Sequence, residues 1–104
     1  MPWVYMLRCS DKSIYVGMTE NLELRHAQHV DGTYGGYTAA RRPVSLVWHA
    51  EVQTANQAFE LERKLKGWSR AKKEALIRGD FVGIHEIVVA ERKRREKSRR
   101  QRDR

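Results

Sequence analysis

Residues 14–29 read IYVGMTENLELRHAQH. A strand-like IYVG runs into a helix, and Tyr15, Arg25 and His29 all fall inside this short passage. Phenol and imidazole can exchange a proton, while a guanidinium carries a permanent charge on a forked set of donors that suits an oxyanion. Arg25 and His29 are four positions apart, so a helix places them on one side. A second phenol, Tyr5, lies in WVYMLRC at 3–9. If the register of a hairpin allows it, Tyr5 and Tyr15 share a face of adjacent strands. Glu62 comes from a later stretch, FELERKLK, beside the Leu61–Leu65 apolar stripe. These types together suit proton transfer next to a bound anion.

Singly, each residue has a plain structural reading. A buried tyrosine fills space and makes one hydrogen bond. An Arg–His pair is a solvated helix surface, and Glu62 is the i,i+4 partner of Lys66, worth a few tenths of a kcal/mol. Only convergence makes them a site, so the elements that position them matter.

WVYMLRC and IYVG read as two strands joined by the turn residues SDKS. Thr19 or Asn21 can cap a helix that runs to about Val30 and stops near Gly32. TYGGYTAARRP at 33–43 reads as a glycine-rich loop with aromatic and arginine side chains interleaved, and VSLVWHAEV as a third strand. Thr54 with Gln57 forms a capping box for a second helix that Gly67 ends. Ser69 caps a third helix that stops at Gly79, and Ile84, Ile87 and Val88 have the spacing of a last one. The order β-β-α-β-α-α implies an α+β domain, a small three-stranded sheet flanked by helices.

At 104 residues the chain holds one modest core, expected over 1–80, with a helix and basic tail over 81–104. No apolar run reaches the length of a membrane span, and no signal segment opens the chain, so a cytoplasmic protein without a membrane partner is expected. Cys9 is the single cysteine, which excludes an internal disulfide and a cysteine-cluster zinc site; it reads as a small buried hydrophobe. The net charge of +8 is uneven: residues 91–104 carry nine Lys or Arg against three acids, the rest twelve against ten. Such a tail attracts a polyanion, most simply nucleic acid, or serves as a solvated terminus.

WVY at 3–5, YVG at 15–17, Arg25 and Glu62, taken in this order and spacing, resemble the GIY-YIG nuclease domain over about residues 2–79. The segments YTAARRPVSLV and ERKLKGWSRAKKEALI are similar to its small single-domain bacterial members, which are related to the endonuclease domain of the bacterial excinuclease. The resemblance implies a three-stranded antiparallel sheet with flanking helices and metal-dependent hydrolysis of a DNA phosphodiester, with a place in DNA repair. Tyr5 and Tyr15 match the two motif tyrosines, Gly17 the motif glycine, Arg25 the catalytic arginine and Glu62 the metal-binding glutamate. His29 stands where relatives have His or Tyr. Trp3 and Val4 replace the first motif's glycine and isoleucine. Met18 and Glu74 stand where some relatives have a lysine and an asparagine.

Phosphodiester hydrolysis needs charge neutralised on the phosphoryl group, a nucleophile made from water and a supported leaving oxygen. Mg²⁺ or Mn²⁺ on Glu62 suits the last task, since Mg²⁺ takes few protein ligands. Arg25 suits a phosphate oxygen. Tyr15 is a candidate base, with Tyr5 and His29 orienting it or sharing proton traffic; a phenol of pKa near ~10 needs a nearby cation, whereas histidine titrates more conveniently. The choice between Tyr15 and His29 stays open. Arg41 and Arg42 with Tyr34 and Tyr37 suit phosphate contact and base stacking. Lys66, Arg70 and Lys73, among other basic residues of the second and third helices, are further candidates for DNA contact. Trp68 reads as core. The expected partner is DNA, single-stranded or branched rather than a specific duplex site. The alternative is a noncatalytic nucleic-acid-binding module of the same fold.

Overall fold

A computed structural model describes residues 1–102, with side chains for residues 1–98. Part of the expected basic tail therefore lies outside the described residues. The chain forms two compact units, Met1–Trp68 and Ser69–Arg104.

The first unit is built on three antiparallel strands, β1 (Trp3–Arg8), β2 (Ile14–Thr19) and β3 (Ser45–Glu51), in the order β2-β1-β3. The central strand is buried from Val4 to Leu7, and its two faces look into different surroundings because side chains alternate along a strand. Tyr5 and Leu7 form one buried cluster with Cys9 and Val44, against which Tyr15, Leu22 and Leu46 pack. Val4, Met6 and Val16, of the opposite parity, are also buried. The register pairs Tyr5 with Gly17 and Leu7 with Tyr15, so the two tyrosines are diagonal neighbours on one face. The β1–β3 register slips between Met6 and Leu7.

Asn21 caps α1 (Leu22–Asp31) by accepting from the Leu24 N–H, and Gly32 ends it in the left-handed region at φ 83°. A side chain there would also meet the Arg42 guanidinium, whose Cζ would lie 2.9 Å from its Cβ. The segment 33–43 differs from the loop expected of it. It contains one helical turn, α2 (Gly36–Ala39), whose Thr38 is buried. A stretch this short has no periodic pattern to betray a helix, and it is the burial of Thr38 against another element that fixes the turn.

The capping box of Thr54 and Gln57 starts α3 (Ala55–Lys66), and Gly67 ends it. This helix packs on β2 and β1, with Ala58 and Leu65 buried. Trp68, expected in the core, is half-buried. In the second unit Ser69 caps α4 (Arg70–Arg78), which packs on α5 (Phe81–Arg102). Lys72 on α4 and Glu91 on α5 form an ion pair of 3.0 Å. α5 starts three residues before the first position of the expected apolar pattern, at Phe81 rather than Ile84. Among the described residues no helix is long and apolar enough to cross a membrane.

Candidate active site

The β1–β2 register sets two phenols side by side, their ring centroids 6.3 Å apart. The helix that follows β2 brings His29 against both, at 5.6 Å from the Tyr5 ring and 5.3 Å from that of Tyr15. Tyr5 Oη lies 2.8 Å from His29 Nε2, and His29 Nδ1 lies 2.7 Å from Thr38 Oγ1. Both ring nitrogens of His29 are thus engaged. No buried side-chain polar atom among the described residues lacks a partner.

Arg25, one turn before His29, donates through one terminal nitrogen to the Met18 carbonyl at 3.3 Å, and its Cζ lies 4.3 Å from the centre of the Tyr34 ring. Tyr34 packs on the other side against His29, with ring centroids 4.5 Å apart. Tyr37 stacks on Tyr15 at 6.0 Å and 21°, and Arg41 covers Tyr37 with its Cζ 3.6 Å from the ring centre. The result is a continuous run of rings bounded by Arg25 at one end and Arg41 at the other.

The electrostatics follow from burial. Desolvation is the main cause that pushes the Tyr5 phenol up to about 12, against a smaller opposing pull from Arg25. Tyr15 is raised further, again chiefly by burial, with Tyr5, Tyr34 and Glu62 adding to it. Burial, with the charges of Arg25 and His26, holds His29 down at about 4. At neutral pH the centre therefore contains two protonated phenols, a neutral imidazole and a guanidinium.

Glu62, on α3, forms an ion pair with Lys66, as its i,i+4 spacing implies. Its side chain is only 16% exposed, and its negative charge reaches both Tyr5 and Tyr15, contributing to the rise of each phenol. The helix that carries the carboxylate packs on β2 and β1, the strands of the two tyrosines. Among the described residues no three His, Cys, Asp or Glu side chains gather to enclose a metal. A single hard oxygen donor of this kind fits an ion that keeps its waters and takes its remaining ligands from a substrate phosphate, and does not fit a zinc cage.

The expected nucleic-acid contacts fall in different settings. Arg41 donates to Asp11 at 3.0 Å and to the Tyr37 carbonyl at 2.9 Å. Arg42 is a clasp, donating to the carbonyls of Ala39 and Asp31 at 3.2 and 3.0 Å and so tying α2 to the end of α1. Tyr34 and Tyr37 remain well exposed, and Lys66 is exposed beside Glu62. Arg70 and Lys73 lie on α4 of the second unit, Arg70 exposed and Lys73 half-buried. Thr38 had no place in the sequence reading: a threonine in a glycine-rich stretch carries no periodicity, and only its contact with His29 marks it.

The family model described as the GIY-YIG catalytic domain matches residues 1–75. The chain belongs to the GIY-YIG family. The matched stretch of this GIY-YIG chain spans β1 to α4 and includes Tyr5, Tyr15, Arg25, His29 and Glu62. It is similar to a UPF0213 protein of Syntrophus aciditrophicus, 44% identical over 77 residues, which are 73% of this chain and 88% of that one. A UPF0213 protein of Natronomonas pharaonis is 41% identical over 75 residues, 72% of this chain and 88% of the relative. Among solved structures, the solution NMR structure of a UPF0213 protein from Bacillus halodurans is 36% identical and covers 74% of this chain and 83% of its own, with a TM-score of 0.50. The GIY-YIG domain points to nuclease activity and nucleic-acid binding. Trp3, which replaces the first motif's glycine, sets its ring edge-on to His49 across the sheet, 5.5 Å away.

Proposed function

We propose that the chain is a divalent-metal-dependent endonuclease that hydrolyses DNA phosphodiester bonds, with single-stranded or branched DNA preferred. The observation that carries this reading is the convergence of Tyr5, Tyr15, Arg25 and His29 on one side of the sheet of a GIY-YIG chain, with the Glu62 carboxylate felt by both phenols.

Glu62 would hold Mg²⁺ or Mn²⁺, exchanging its Lys66 partner for the ion. A bound dication supplies Lewis-acid stabilisation of the phosphate and leaving oxygens and lowers the pKa of nearby water and phenol. Arg25, held by the Met18 carbonyl and the Tyr34 ring, presents its remaining donors to a nonbridging phosphate oxygen. His29 has both nitrogens occupied and acts by holding Tyr5. Tyr15, half-buried beside His29, is then the phenol that would take the proton of the attacking water once its own proton, held by burial at neutral pH, has left to solvent. Tyr34 and Tyr37 offer exposed rings to unpaired bases, which favours DNA with single-stranded character. Lys66, Arg70 and Lys73 add sequence-independent attraction to the backbone.

The test is incubation with single-stranded, duplex and branched DNA in Mg²⁺, in Mn²⁺ and in EDTA. Cleavage should need the metal and be fastest on substrates with unpaired nucleotides. Binding to all three forms with no cutting of any would replace the enzyme by a nucleic-acid-binding module.

A further inference from the structure

Resting on the handling of unpaired DNA proposed above, we propose that a cleft beside the candidate active site is a base-binding subsite that takes an unpaired guanine of the strand. The cleft has a volume of about 390 Å³, within the roughly 300–1,000 Å³ of small-ligand sites. Trp3 of β1, Leu22 of α1 and Leu46 of β3 are its apolar lining. Trp3 is half-buried, and its ring meets that of His49 on the neighbouring strand edge-on, with centroids 5.5 Å apart. An indole is a stacking platform for a base. Leu22 and Leu46 also pack against the buried cluster that contains Tyr5, so the cleft adjoins the packing of the phenols. Along α1, Leu22, Arg25, His26 and His29 are spaced i, i+3, i+4 and i+7, which makes one stripe of the helix. Leu22 and Arg25 are about 4.5 Å apart along its axis. A base seated in the cleft therefore belongs to a nucleotide beside the phosphate that Arg25 would hold.

The polar lining chooses the base. Glu20 and Glu23 are exposed carboxylates, and neither joins an ion pair among the described residues. Their charge turns away a phosphate and leaves acceptors for hydrogen bonds. Asn21 spends its side-chain oxygen on the Leu24 N–H, which leaves its amide NH₂, with the His26 imidazole, to donate into the cleft. Among the four bases guanine alone sets two donors side by side, N1–H and N2–H, matched to the two oxygens of a carboxylate, with the acceptor O6 next to them. Cytosine and adenine place a ring acceptor beside their amino group, and the single N3–H of thymine lies between two carbonyl oxygens that a carboxylate repels. In a duplex this edge is already paired, so the cleft reads only a base that has left its partner.

The experiment is binding of the full chain, in EDTA, to fluorescent oligothymidylates that carry one central guanine, hypoxanthine, adenine or cytosine. Anisotropy reads the affinity, and NMR of the ¹⁵N-labelled chain follows the Trp3 indole N–H. One guanine should tighten binding about tenfold over the all-thymine strand and move the Trp3 resonance. Hypoxanthine, which lacks the N2 amino group, should lose most of that gain. Glu20→Gln with Glu23→Gln changes two exposed side chains and should leave the fold intact. This double variant should bind every strand more tightly, through lost repulsion, while the guanine preference falls to within about twofold. No binding of any strand, equal affinity for guanine and thymine or for guanine and hypoxanthine, an unmoved Trp3 resonance, or a preference kept in the double variant would each overturn the subsite. If the double variant does not fold, the wild-type ratios and the Trp3 resonance still decide. A chain that prefers guanine in EDTA and cuts nothing in Mg²⁺ loses the hydrolysis and keeps the subsite. One that cuts without this preference keeps the hydrolysis alone.

Discussion

Tyr5 lies across the backbone of Gly17, its cross-strand partner: a Cβ at position 17 would stand 2.5 Å from Tyr5 Oη and 2.6 Å from Cζ. The phenol reaches His29 only because its neighbour has no side chain. Gly17→Ala should therefore push Tyr5 off its bond with His29 and lower stability by about 1–3 kcal/mol through overpacking. Urea unfolding checks it, and a Gly17→Ala chain as stable as wild type would show that the Tyr5 ring is free to move.

His29 makes stability depend on pH. Its folded value of about 4 lies below its ordinary 6.5, so the unfolded chain binds a proton more readily than the folded one. The stabilisation is complete above pH 6.5 and is lost as pH falls from 6.5 through 4, by up to about 3 kcal/mol. Denaturant unfolding between pH 7 and 4 measures this slope. It should flatten in His29→Gln, which has no titrating group; an equal slope in both chains would place the titration elsewhere.

Glu62 separates function from folding. Its pairing with Lys66 is worth only about 0.3–0.5 kcal/mol, so Glu62→Gln should leave the unfolding midpoint nearly unchanged while abolishing metal-dependent cleavage. Arg25→Lys keeps the charge and loses the fork that holds the Met18 carbonyl, covers the Tyr34 ring and faces the substrate. We expect it to lower kcat by roughly a hundredfold, in the range of losing one oxyanion donor. Rates measured on the best DNA substrate decide both, and a Glu62→Gln chain that cuts normally would remove the carboxylate from the mechanism.

The terminal charges should set the salt dependence of binding. Deleting residues 94–104 removes seven Lys or Arg and two acids but keeps the Glu91 partner of Lys72. For every phosphate that the protein ceases to neutralise, the slope of log affinity against log salt falls by about 0.9 on duplex DNA. Titrations at several salt concentrations should show a shallower slope for the shortened chain. An identical slope would mean that the tail touches no phosphate.

The sequence by itself determined the local elements. Thr19 or Asn21, of which the structure uses Asn21, with the Thr54–Gln57 box, Ser69, and Gly32, Gly67 and Gly79, bound their helices because capping is chemistry within a few residues of the chain. Strand-like runs on either side of the SDKS turn marked the first two strands and alternation the third, and the pairing of Glu62 with Lys66 follows from helical spacing. Motif spacing named Tyr5, Tyr15, Arg25, His29 and Glu62 as a set, while their meeting depended on a register that no local pattern fixes. Only the tertiary structure decided that Gly17 makes room for Tyr5 and that Thr38 holds His29. It also decided that Arg42 clasps two carbonyls within its own fold and that burial keeps the phenols protonated and the imidazole neutral. The physical reason is that space, buried hydrogen-bond partners and desolvation belong to residues far apart in the chain, and become defined only once the sheet and its helices have closed around them.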